Sequence, residues 1–142
     1  MIRFKTAALL LIAVLAFAFV FTGCGGSFGA PDPDRIVPAR ETLIQNLKAK
    51  GYEIEELTKV KGSELAVDRV IAKNGDRFID IAYGLSSEEA EEIFGLYRGM
   101  YPDDYYILAR NGNYVYCVSD KSTFKKADFS STENIGTQYI HG

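Results

Sequence analysis

Between residues 36 and 128 the apolar positions switch between helical and strand spacing, and the switches divide the segment into elements. Leu43, Ile44 and Leu47 fall on one side of a helix that begins around Pro38, carries Lys48 and Lys50 in its last turn and stops at Gly51. Tyr52, Ile54 and Leu57 then alternate loosely with Glu53, Glu55 and Glu56, the pattern of a strand with one wet face. Gly62 and Ser63 turn the chain. Residues 66–73 and 76–83 are two further strands flanking Asn74-Gly75, a pair that tolerates the positive φ angles of a tight hairpin. A two-residue turn at Asn74-Gly75 would set Lys73 across from Asp76, Ile71 from Phe78, Val70 from Ile79 and Arg69 from Asp80, so that two opposite-charge pairs support the register.

Ser86 with Glu89 forms a capping box, Glu88 to Glu92 place negative charge at a helix N-terminus, and Ala90, Ile93, Phe94, Tyr97 and Met100 recur at helical spacing until Pro102. A second hairpin follows, residues 105–110 and 113–119 around Asn111-Gly112. Ala72-Lys73-Asn74-Gly75-Asp76 is echoed by Ala109-Arg110-Asn111-Gly112-Asn113, which fits either an internal duplication or convergence on a favoured turn. Asp120 caps a short helix through Ala127 that packs Phe124, and residues 129–142 form a polar tail with scattered Phe129, Ile135, Tyr139 and Ile140.

The expected fold is α+β, in the order α-β-β-β-α-β-β-α. A largely antiparallel sheet of about five strands should carry two main helices and a short third on one face, because every clear connection reads as a hairpin. The layout is similar to that of small extracytoplasmic folds of the cystatin-like and PepSY-like kinds, and no motif selects among them.

The N-terminus follows another logic. Arg3 and Lys5 precede an unbroken apolar stretch over residues 7–21, long for the core of a signal peptide and short for a transmembrane helix, which needs roughly 20 residues. The stretch ends in Phe21-Thr22-Gly23-Cys24, which resembles the lipobox of bacterial prolipoproteins, with Phe21 where Leu is usual. That resemblance implies diacylglyceryl transfer to the Cys24 thiol, cleavage just before it, and fatty acyl chains such as palmitate holding the mature chain on the membrane's outer side. Residues 1–23 would then be a signal peptide and 24–35 a lipidated Cys with a Gly-, Pro- and Ser-rich tether. Residues 36–128 make a single domain, followed by the tail of 129–142.

Composition narrows the function. Of 16 basic residues two, Arg3 and Lys5, lie in the presumed signal, leaving 14 against 19 acidic and a net charge of −5, which argues against nucleic acid as a partner. The two cysteines exclude a disulfide framework, and Cys117, in the run Tyr114 to Val118, reads as a buried small hydrophobe. His141 is the single histidine and stands next to the C-terminus, so neither Ser–His nor Cys–His catalysis is expected, and neither a metal site nor a cofactor. Paired loop carboxylates such as Asp103, Asp104 and Asp120 leave a cell-envelope hydrolase as the alternative, although acids after Pro commonly form turns.

Tyrosine stands out, with nine in the chain and several in the second hairpin. The expected register puts Tyr105, Ile107, Tyr114 and Tyr116 on one face, joined by Ile71 and Phe78 if the hairpins are neighbours, with Tyr106, Leu108, Val115 and Cys117 on the other. This aromatic face is a recognition surface for an envelope protein, peptide or glycan, a contact with a second copy, a face covered by the tail or by the first helix, or a half-wet sheet that tyrosine tolerates. The functional expectation is a non-catalytic, membrane-anchored interaction domain; a structural accessory of a membrane complex is a further alternative.

Overall fold

A computed structural model describes residues 33–129 and the backbone of 137–140. Residues from Pro31 onward form one compact unit; Met1–Ala30, with Cys24, fall outside the described residues, as do most of the tether and His141. The elements are α1 (Pro33–Ile36), α2 (Arg40–Ala49), β1 (Glu53–Leu57), β2 (Asp68–Asn74), β3 (Arg77–Tyr83), α3 (Ser87–Met100), β4 (Ile107–Asn111), β5 (Tyr114–Val118), α4 (Lys121–Lys126) and β6 (Thr137–Ile140). The α+β class and the expected order hold. The additions are the single turn of α1 and β6, which the tail contributes to the sheet by pairing with β4.

All strand pairings are antiparallel and the order is β1-β2-β3-β5-β4-β6. Because β3 and β4 are each antiparallel to β5, they run parallel to one another, and α3 is a crossover that carries the chain past β5. That crossover corrects the expectation that the helices gather on one face. Successive residues of β5 point into two separate cores: Tyr116 and Val118 pack with Leu43 and Leu47 of α2 and Phe124 of α4, whereas Val115 and Cys117 pack with Ala90, Ile93, Phe94 and Tyr97 of α3. The central strands are sandwiched between helices, which is why they are apolar on both sides.

Helix α3 forms as its sequence dictates. Ser86 Oγ accepts from Glu89 N at 3.2 Å and Glu89 Oε2 from Ser86 N at 2.8 Å, closing both halves of the capping box. At the start of α4, Asp120 accepts from Thr123 N at 2.8 Å.

Both hairpins have two-residue turns, displaced one residue from the expected positions. Asn74 pairs with Arg77 around Gly75-Asp76, and Asn111 with Tyr114 around Gly112-Asn113. Positive φ occurs at Gly75 (61°) and Gly112 (57°) but at neither following residue. That is the pattern of a type II′ turn, which needs glycine only at its first position, so each asparagine stays in its strand. Lys73 therefore faces Phe78, Ala72 faces Ile79, Val70 faces Ile81 and Arg69 faces Ala82. The displacement preserves which side each residue faces.

Candidate functional site

Of the sequence-predicted aromatic face, Ile107, Tyr114 and Tyr116 share one side of the sheet, and Tyr105, Ile71 and Phe78 do not join them. Register between β3 and β5 sets Ile79 opposite Val118 and Ile81 opposite Tyr116, so Ile71 and Phe78 lie on the side away from Ile107, Tyr114 and Tyr116. Ile107 and Tyr116 are fully buried under α2 and α4, with Phe129 tilted over Tyr116 at 4.8 Å and stacked on Phe124 at 4.5 Å. The first residue of the tail and the first main helix thus cover that side. Tyr105 is buried in the opposite core, because the strand begins only at Ile107 and the alternation does not extend back to it. Tyr114, half-buried, donates its hydroxyl to Asp34 and meets the Tyr83 ring edge-on at 5.8 Å.

The densest chemistry lies between α3 and the sheet. Asp80 on β3 is fully buried and accepts four hydrogen bonds: from Arg69 Nε (2.9 Å) and the Tyr97 hydroxyl (2.6 Å) at Oδ1, and from Arg69 Nη2 (2.6 Å) and the Tyr101 hydroxyl (2.6 Å) at Oδ2. Arg69 Nη1 donates to the Lys59 carbonyl at 3.1 Å, and the guanidinium sits 5.6 Å from the centroid of the Tyr97 ring. Arg69 and Asp80 are diagonal neighbours across β2 and β3, within reach of a long side chain, so they pair without facing each other. Tyr97 lies in the last turn of α3 and Tyr101 is its C-cap residue, and Phe78 stacks on Tyr101 at 5.2 Å.

The electrostatics follow from burial. Desolvation, reinforced by the Asp80 charge, pushes both phenols well above the ordinary tyrosine range, while hydrogen bonds to Asp80 raise the Arg69 guanidinium further still. Asp80 has no acceptor capacity to offer a substrate proton, since all four lone-pair directions are taken. The cluster is a lock that ties α3, β2, β3 and the loop at Lys59 together.

The loop acids are also accounted for. Partial burial acts to raise the Asp120 carboxyl, but hydrogen bonds from Ser119 and Thr123 hold it below the usual carboxylate range, committed to its cap. Asp103 and Asp104 are exposed, and Asp104 takes a positive φ of 63°, as turn formers do. Cys117 lies on the α3 side with Leu108 and Val115, as alternation indicates, and burial followed by the nearby Asp80 charge pushes its thiol far above the ordinary range. Among the described residues no three His, Cys, Asp or Glu side chains converge as metal ligands, and no helix is long and apolar enough to cross a membrane. Comparison of the chain with protein-family models, with curated proteins and with solved structures finds no match in any of the three.

Proposed function

We propose that this chain is a bacterial lipoprotein whose mature part is a non-catalytic interaction domain, anchored through fatty acyl chains on Cys24 to the extracytoplasmic face of the cell membrane. The observation that carries the reading is the N-terminal order of Arg3 and Lys5, the apolar run of 7–21 and Thr22-Gly23-Cys24, followed by a compact unit from Pro31. A binding role is supported over a catalytic one because the buried Asp80 serves its own neighbours and Asp120 serves a helix cap. Fatty-acid labelling in cells tests the address: Cys24→Ala should accumulate as unprocessed, unlabelled precursor, and labelling that persists in this variant refutes the anchor.

A further inference from the structure

Among the described residues β1 pairs with β2 alone, leaving the N–H and C=O groups of its outer side without a strand against them. One side of β1 is closed by α2, against which Ile54 packs and beside which Glu56 is held by Arg40 at 2.7 Å. The other side lies beyond α3, which sits over β4 and β5. Along the β1 edge, Glu53, Ile54, Glu55, Ile71 and Lys73 line a groove of about 260 Å³. Lys73 faces Glu53 in register, yet neither it nor Glu55 belongs to an ion pair among the described residues, and both carboxylates are exposed.

We infer that β1 is a docking strand for an extended, basic segment of another protein, which joins the sheet by strand addition. Resting on the reading of this chain as an interaction domain, the inference names its partner surface. An open edge supplies the main-chain hydrogen bonds, and side-chain preference comes from what the edge presents. In antiparallel register the incoming strand sets an apolar residue opposite Leu57, a basic one opposite Glu55, an apolar one opposite Ile54 and a basic one opposite Glu53. The basic residues form opposite-charge cross-strand pairs, and the groove floored by Ile71 receives their aliphatic stems. A second copy of β1 is rejected by the same geometry, since self-pairing centred on Glu55 sets Glu55 against Glu55. Three glutamates in five residues thus guard the edge against its own kind and admit a strand of opposite charge.

The probe is a synthetic peptide carrying the run Val-Thr-Arg-Ile-Arg, added to the full chain in detergent micelles, with Val-Thr-Glu-Ile-Glu as its charge-reversed control. The basic peptide should slow amide exchange across Glu53–Leu57 by about tenfold or more while leaving β6 unchanged. About 1 M salt should weaken its binding at least tenfold. The doubly substituted chain Glu53→Lys/Glu55→Lys, exposed at both positions and checked for an unaltered melting temperature, should exchange its preference for the control peptide. No slowing, equal slowing by both peptides, or slowing confined to another element overturns the inference. In cells, a photocrosslinking residue at position 55 should capture a basic extended segment. Capture only from position 91, on the exposed side of α3, or of a second copy at position 55, overturns the docking strand but leaves the interaction reading standing. Capture from neither position, with no slowing by either peptide, overturns the interaction reading together with the docking strand, while loss of the anchor shows separately, as fatty-acid labelling that persists in Cys24→Ala.

Discussion

Replacing Asp80 with Asn keeps the shape of the buried side chain and removes its charge. One of its two oxygens becomes an amino group, which faces either Arg69 Nη2 and the Tyr101 hydroxyl or Arg69 Nε and the Tyr97 hydroxyl. A hydroxyl can rotate and accept; an arginine N–H cannot, so in either orientation a donor meets a donor. The Arg69 side chain is 8% exposed and loses its only counter-charge within the cluster. Leaving one member of a buried pair uncompensated costs about 3–5 kcal/mol, a large share of the about 5–15 kcal/mol that holds a domain folded. An apolar replacement of the whole cluster is a different matter. Arg69→Met, Asp80→Leu and Tyr97→Phe together remove the charges and the buried hydroxyl, and Tyr101, half-exposed, turns to water; this triple variant should lie within about 2 kcal/mol of the parent. Urea unfolding of the three proteins decides. An Asp80→Asn cost below about 1 kcal/mol, or a triple variant less stable than Asp80→Asn, refutes the view of the cluster as a satisfied lock.

The two turn glycines should differ when changed to Ala. A methyl at Gly75 meets nothing within 4 Å and costs about 1 kcal/mol for its positive φ, whereas at Gly112 it would also lie 2.7 Å from Pro33 Cγ. Thermal unfolding should therefore rank Gly112→Ala below Gly75→Ala, and equal costs would mean that α1 does not rest on the β4–β5 turn. Asp120→Ala should cost about 0.5–2 kcal/mol at neutral pH. Because the folded carboxyl is held below its unfolded value, its contribution is present above about pH 4 and is lost as pH falls through the folded value. Stability measured against pH should show the gap between variant and parent closing in acid, and a constant gap contradicts the assignment.

Alternation and punctuation made most elements legible. The capping box, the stop at Gly51, the Asp120 cap and both hairpins lie where local chemistry puts them. Asn-Gly-Asp and Asn-Gly-Asn, however, each admit two turns, and the choice between them rests on one φ angle that the residue types leave open. Since moving the turn by one residue keeps each side chain on its side, the pairing of Arg69 with Asp80 survived the change of register. Strand adjacency was less accessible: nothing local states that β5 inserts between β3 and β4, yet this decides that Ile81, not Phe78, shares a side with Tyr116. The tail's contribution escaped for a related reason, since Thr137–Ile140 is four residues long and gains its partner from β4 rather than from its own pattern.

The cross-strand register also shows why two acids of similar sequence appearance have different fates. Glu55, Ile71, Asp80, Cys117 and Leu108 form one row across five strands on the α3 side. Cys117 and Leu108 lie beneath the helix, and Asp80 stands where Tyr97 and Tyr101 reach down from it, so burial there demands a full set of donors. One strand further, Ile71 keeps 8% of its surface, and at Glu55 the cover is gone. Each acid occupies a strand position on the same side of the sheet, and the sequence marks them alike. Their distance from α3 separates them: the acid under the helix end is consumed by the fold, and the acid beyond it stays available to a partner's cation.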